Sequence, residues 1–321
     1  MPVENLLFSF RVEIMKKIEY LLQLLVSVLC FYTLSRFIQF DVLVDVFKNA
    51  RVGALVIVFI LMFPAVLVRA WRWYYILRRK NIDVPMSTMS RVTFIGMALN
   101  LFIPGGGGDI ARSYYGWQSH GHKEAMLATS VSDKAVALFT LCLLGIICGL
   151  AIGTYQIVWI TSLLTIPLGL LLFIPWRLPW NILSKLVKRI IKKDLDVDKL
   201  LATFQMDATT MLGCVAISLI GWAFTNLMYY YACIAFNPAA DALYVFATAP
   251  LINIVRAIPI SISGLGSADA LIIYLFADMG MAKSEALAAS IIINIFLIAL
   301  PGLIGAVYIL LHKNRQTTKT D

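Results

Sequence analysis

Apolar residues fall in long runs along the 321 residues of the chain. Runs long enough to cross ~30 Å of hydrocarbon lie near residues 19 to 37, 52 to 76, 126 to 153, 157 to 176, 209 to 236 and 286 to 311. These predict six full spans. Two further runs, 92 to 117 and 243 to 279, are broken in the middle by Pro and Gly. No small-residue cleavage site follows the first run, so it is expected to stay as an anchor and not to be removed as a signal peptide. "MKKIEYLLQLL" offers an alternative start at Met15, which would make residues 1 to 14 a dispensable extension.

Composition agrees with the pattern. With 60% hydrophobic residues, 14% charged residues and a mean hydropathy of +0.84, the chain is expected to be an all-α polytopic membrane protein, and a soluble core is excluded. One membrane domain, 1 to 321, is expected. Cys30, Cys142, Cys148, Cys214 and Cys233 all fall in apolar runs without CxxC spacing and read as small buried hydrophobes.

Lysine and arginine placement orients the spans, because cytoplasmic loops are enriched in both. The richest segment is "RLPWNILSKLVKRIIKKDLDVDK" at 177 to 199, followed by "RRK" at 78 to 80, the tail "HKNRQTTK" and "RVEIMKK" near the start. "GTYQ" at 153 to 156 and "NPAAD" at 237 to 241 carry neither residue and read as external. If 92 to 117 crossed fully, the most basic loop would lie outside. A hairpin that dips in from the cytoplasm avoids this, and 243 to 279 must then dip in from outside. "RVTFIGMALNLF" before Pro104 has about 12 residues, or ~18 Å as helix, enough to reach the midplane but not to cross.

The expected order is therefore span, span, hairpin, span, and the same again inverted. Residues 19 to 153 form the first half and 157 to 311 the second, with the basic cytoplasmic loop 177 to 207 inside it and both termini cytoplasmic. "GGGGD…KEAMLATS" and "GLGSAD…SEALAAS" carry a trace of the duplication. Inverted-repeat transporters bind substrate where broken helices meet.

The broken runs hold the candidate chemistry. Pro104, Gly105, Gly106, Gly107 and Gly108 free the backbone for close approach by a ligand. The returning half-helix would begin near Asp109, aiming its N–H groups and positive dipole end at the turn. Arg112, one turn later, adds a forked donor suited to phosphate. Asp133 and Lys134 on the following span, and Arg256, Ser261, Ser263, Gly264, Gly266 and Asp269 around the second tip, complete an expected substrate site. The plainer alternative is that Asp109 with Arg112, Asp133 with Lys134, and Arg256 with Asp269 only neutralise one another.

Other features have plainer readings. His120 and His122 lack the cysteines or carboxylates of a metal cluster and read as a solvated loop. "VRAWRWYYILRR" at 68 to 79 reads as an interfacial aromatic belt with snorkelling arginines. "KLVKRIIKK" at 185 to 193 is expected to lie on anionic lipid at the inner surface. The net charge of +9 needs no nucleic-acid partner, since the positive-inside rule already demands it.

Taken together, "RAWRWYYIL", "NLFIPGGGGDIARSYY…KEAMLATSVSDKAVALF" and "AIPISISGLGSADALIIYLF…SEALAASIIINIFLI" resemble the lysylphosphatidylglycerol synthase transmembrane, or flippase-like, family, from about residue 20 to 311. The resemblance implies a membrane lipid translocase. Asp109 and Arg112 fall on its acid and arginine after the first glycine cluster, Asp133 with Lys134 on an Asp-Arg pair, and Asp269 on the acid after the second cluster. Asp stands here where the family commonly has Glu at the two acid positions, and Lys134 stands where Arg is usual. Only about 10 residues follow the last span, so the soluble aminoacyl-transfer domain of bifunctional members is not expected, nor is lysine transfer.

The expected function is transport of an anionic lipid, a phospholipid or a polyprenyl-phosphate-linked lipid, across the cytoplasmic membrane. It would be no enzyme, with no cofactor and no metal, and without a GxxxxGK[ST] nucleotide loop its drive would come from a gradient or from downhill flow. Expected partners are the lipid, together with a second copy or a lipid-biosynthesis enzyme, and no nucleic acid. The alternatives are a regulatory or assembly subunit of lipid or envelope biosynthesis and a lipid-modifying enzyme.

Overall fold

The computed structural model describes residues 40–101, 103, 107–153, 155–173, 206–258, 261 and 264–317. The first expected span, 19 to 37, and most of the basic loop 177 to 207 lie outside the described residues. The rest is helical, and no strand occurs among the described residues. The elements are α1 (Phe40–Lys48), α2 (Val52–Arg79), α3 (Met86–Asn100), α4 (Gly108–His120), α5 (Lys123–Ala151), α6 (Tyr155–Phe173), α7 (Ala208–Ile234), α8 (Ala242–Ala257), α9 (Ser267–Ala277), α10 (Lys283–Asn294) and α11 (Leu300–Thr317). A π-helical turn, Ile295–Ala299, joins the last two.

Among the described residues four helical stretches are long and apolar enough to cross a membrane: Val52–Arg79, Lys123–Ala151, Ala208–Ile234 and Lys283–Leu311. The run expected at 157 to 176 gives α6, an apolar helix of 19 residues with Pro167 inside it, shorter than those four. Along α2, Val52, Val56, Phe59, Phe63, Leu67 and Trp71 recur every three or four residues on the exposed side, while Val58, Met62, Ala65, Trp73 and Leu77 face the core. A helix apolar on both faces yet exposed on one suits a lipid surround. With the apolar stretches above, this makes the chain a multi-pass membrane protein.

Both broken runs form helix, break, helix. In the first, α3 and α4 pack on each other, and in the second, α8 and α9 do. At the second tip Gly264 (φ +77) and Gly266 (φ +89) lie in the left-handed region that favours glycine. Gly266 caps α9, and its N–H donates to the Asp269 carboxylate, which reaches back from the first turn. The π turn precedes Pro301, which cannot donate to the carbonyl of Leu297, so the interrupted ladder has a local cause.

The packing is related across the two halves. At the centre α2 lies against α7, and the pair is antiparallel: the Arg51 N–H donates to the Ala235 carbonyl at one end, and Arg79 pairs with Asp207 at the other. Around them, α3 packs on α11 as α8 packs on α5, α4 on α5 as α9 on α10, and α2 on α3 as α7 on α8. Exchanging the halves exchanges these contacts. The largest core cluster joins Met62, Met228, Tyr229, Ile252, Ile272, Phe276 and Ile293. A cavity remains between the halves.

Candidate anion-binding cavity

The cavity has a volume of about 220 Å³ and is walled by α2, α3, α4, α5, α7, α8 and the π turn. One part of its lining is apolar, with Val68, Met97, Ala137, Leu138, Leu141, Trp222, Leu297 and Ile298. The other part is ionic. Arg69, Arg72, Arg112, Lys134 and Arg256 line it together with two carboxylates, Asp109 and Asp133.

Asp133 is the more heavily engaged of the two lining carboxylates. Its Oδ1 accepts from Arg72 Nε at 2.6 Å, and its Oδ2 accepts from Arg72 Nη2 at 3.2 Å and from Arg112 Nη2 at 2.6 Å. All three residues are buried. Burying ions is costly unless their hydrogen bonds are satisfied, and here they are. Arg72 Nη1 donates to Ser218 Oγ at 3.1 Å, while Arg112 donates to the Asp109 carbonyl at 2.9 Å and to Thr93 Oγ1 at 3.3 Å. The Arg112 guanidinium also lies over the Trp73 ring, 4.4 Å from its centroid, and Trp73 Nε1 donates to Thr129.

Asp109 stands in the first turn of α4. Its Oδ2 accepts from Lys134 Nζ at 2.7 Å, its Oδ1 accepts from Asn100 Nδ2 at 3.2 Å, and its backbone carbonyl accepts from Ser130 Oγ. The mirrored acid, Asp269, has a parallel set of ties in the second half. Its Oδ1 accepts from Ser290 Oγ and from Asn294 Nδ2 at 2.7 Å. The partners stand 21 and 25 residues beyond the acid in both halves. Arg256 Nη1 donates to Asn294 Oδ1 at 2.8 Å, which links the second hairpin's first limb to α10.

Of the residues singled out in the sequence, Asp109, Arg112, Asp133, Lys134, Arg256 and Ser261 line the cavity. Asp269, Gly107, Gly108, Gly264 and Gly266 do not, and Pro104, Gly105, Gly106 and Ser263 lie outside the described residues. Gly108 serves close packing: a Cβ there would sit 2.4 Å from the Asn100 nitrogen and 2.5 Å from the Gly96 carbonyl oxygen. Gly264 is held against Arg256 in the same manner, with a Cβ 2.6 Å from Arg256 Cγ.

The ion pairs are crossed relative to the neighbour pairing considered from sequence. Asp133 binds arginines on α2 and α4, Lys134 binds Asp109, and Arg256 and Asp269 meet on Asn294. The belt reading of "VRAWRWYYILRR" also needs correction. Trp71, Arg78 and Arg79 fit it, but Trp73 is fully buried, Arg72 is buried on Asp133, and Arg69 lines the cavity. The overlooked signal is Arg69 and Arg72 at i, i+3, on one face of an otherwise apolar helix. Thr93, Asn100, Ser218, Thr225 and Asn253 also line the cavity and carry no motif.

His120 ends α4 and His122 (φ +59) precedes α5 in an exposed connection. No group of three metal-ligating side chains occurs among the described residues. Cys142, Cys148, Cys214 and Cys233 are free thiols, and Cys30 lies outside the described residues.

Comparison with known sequences supplies a family. Residues 20–305 match the profile described as the lysylphosphatidylglycerol synthase TM region. A UPF0104 membrane protein of Methanothermobacter thermautotrophicus is 25% identical over 251 residues, which cover 69% of this chain and 74% of that protein.

Proposed function

Because the chain belongs to the lysylphosphatidylglycerol synthase transmembrane-region family, a family of membrane lipid proteins, we propose that it is a carrier moving an anionic lipid across the cytoplasmic membrane. The observation behind this reading is the two-sided cavity, with five cations along one part and an apolar wall along the other. A charged headgroup fits the first and the start of a hydrocarbon chain fits the second. The two broken helices re-enter from opposite faces, the positive-inside rule keeps both termini cytoplasmic, and exposure of the cavity alternately to the two sides moves the lipid.

Transport is proposed here, not catalysis. Both cavity carboxylates are committed to cations, Asp133 to two arginines and Asp109 to Lys134, which leaves neither poised as a general base. Lysylphosphatidylglycerol itself is a poor fit, since its two ammonium groups outnumber its one phosphate and would meet a cationic lining. The proposed partner is an anionic phospholipid or polyprenyl phosphate.

Lipid that co-purifies in mild detergent tests the reading. Extracted and identified by mass spectrometry, it should be enriched in one anionic class over the bulk membrane, and Lys134→Gln with Arg256→Gln should remove the enrichment. Bulk-like lipid on both wild type and variant would sink the carrier reading of the cavity.

A further inference from the structure

The cations lining the cavity are unequally compensated. Arg72 and Arg112 share one carboxylate, and Lys134 holds the other. Arg256 gives its Nη1 to a neutral amide. Arg69 differs from these four. Among the described residues no oxygen accepts a hydrogen bond from its guanidinium, although Asp109, Asp133, Arg72 and Arg112 are near enough to act on its charge.

Five lining cations against two lining carboxylates leave a formal excess of three positive charges. Including Asp269, which reaches Arg256 through Asn294, lowers the excess to two. Such an excess in a low-dielectric interior favours a bound anion of matching charge over one that neutralises it only in part. A phosphodiester headgroup brings one negative charge. A phosphomonoester brings about 1.5 to 2 at neutral pH, and a pyrophosphate ester brings more.

Donor geometry points the same way. A guanidinium fork engages two oxygens at once. A diester has two unesterified oxygens, which one fork occupies, whereas a terminal phosphate has three and leaves at least one for a second cation. Arg69 on α2 supplies one such fork, and Arg112, Lys134 and Arg256 approach the cavity from α4, α5 and α8.

We infer that the cavity selects a terminal phosphate, a phosphomonoester or pyrophosphate, over a phosphodiester headgroup, and that Arg69 is the selecting residue. This rests on the anionic-headgroup reading of the same cavity. The shared ligand chemistry is the terminal phosphate, whether carried on a lipid or free.

Native mass spectrometry in detergent, with dioleoyl phosphatidic acid and dioleoyl phosphatidylglycerol as probes, compares one ester bond with two on identical chains. Wild type should hold phosphatidic acid roughly tenfold more tightly, or about 1.4 kcal/mol. Arg69→Gln should bring the ratio close to one, with an unchanged melting temperature in detergent as the folding control. Arg69→Lys should retain part of the preference. Inorganic pyrophosphate as competitor separates the sources: displacement of phosphatidic acid marks the phosphate alone as sufficient, and resistance marks the lipid chain as part of the ligand, with the selection standing in both cases. Equal affinities in wild type, or a ratio unchanged in Arg69→Gln, overturn the inference. If both lipids bind equally and both are weakened by Arg256→Gln, the headgroup site survives and only the selectivity fails. If neither substitution affects either lipid, the cavity reading falls with it.

Discussion

Asp109 and Asp269 begin the second limbs of two matching hairpins, and each is tied to a serine 21 residues on and to a longer side chain 25 residues on. Their surroundings then diverge. The first acid meets Lys134, while among the described residues the second meets neutral donors, namely Gly266 N–H, Ser290 and Asn294. Three residues past Asp109 stands Arg112, and three past Asp269 stands Ile272. Three past Ser130 stands Asp133, and three past Ser290 stands Ile293. The features shared by both halves hold the hairpins in place. The features present in only one half make the ionic site.

That division predicts where substitutions matter, and the largest contrast is between acids. Asp133→Asn strands two buried arginines and should cost on the order of 3 to 5 kcal/mol, by analogy with broken buried ion pairs. Asp269→Asn keeps an acceptor for neutral donors and should cost about 1 to 2 kcal/mol. Thermal unfolding in detergent reads both, and equal losses would erase the distinction between the halves.

Next come the glycines. A Cβ at Gly305 would lie 1.9 Å from the Phe94 carbonyl oxygen, so Gly305→Ala must move backbone and should cost about 1 to 3 kcal/mol. At Gly145 the obstacle, at 2.4 Å, is the Thr161 methyl, which can rotate, so Gly145→Ala should lower the melting temperature less. Ser130→Ala removes a hydrogen bond to a neutral carbonyl and should lose about 0.5 to 1.5 kcal/mol, while Ser290→Ala removes one to a carboxylate and should lose about 1.5 to 3 kcal/mol. Equal losses in thermal unfolding would show that the charge of Asp269 adds nothing to its serine tie.

The smallest effect concerns helix starts. α7 begins at Asp207, whose side chain accepts from Thr210, whereas α2 begins at Arg51 with no side-chain cap. Hydrogen bonds from Thr210, assisted by Arg79, hold the Asp207 carboxyl down at about 2. A depressed acid stabilises the fold above its ordinary value and loses that contribution as pH falls towards about 2. Asp207→Ala should therefore lower the melting temperature slightly at neutral pH and flatten its decline between pH 4 and about 2. An unchanged acid limb in the variant would mean that Asp207 contributes nothing there.

Much of this architecture was legible in the sequence, because span length and glycine-proline breaks are local properties. Residues 52 to 76, 126 to 153, 209 to 236 and 286 to 311 became long helices, and both broken runs became paired limbs. The site was legible only in part. Asp133 and Lys134 are adjacent, and adjacent residues on a helix point in different directions, so they serve different partners. Arg72 looked interfacial because its counter-ion is 61 residues away, and no local window contains that pairing. The role of Gly108 was hidden for a similar reason, since the crowding it relieves comes from α3, not from its own helix.

The contact between Gly305 and Phe94 also bears on how the molecule can move. Its surfaces meet backbone to side-chain-free backbone, so there is no compliant layer between α3 and α11, and the two helices are expected to travel together. Yet α3 comes from the first half of the chain and α11 from the last, while α8 is likewise laid on α5. The mechanical bodies of this protein are thus not its sequence halves. Each hairpin is clasped by the closing helix of the opposite half, like two interlaced hands, and any rocking must swing the clasped units past one another instead of parting the chain at its midpoint.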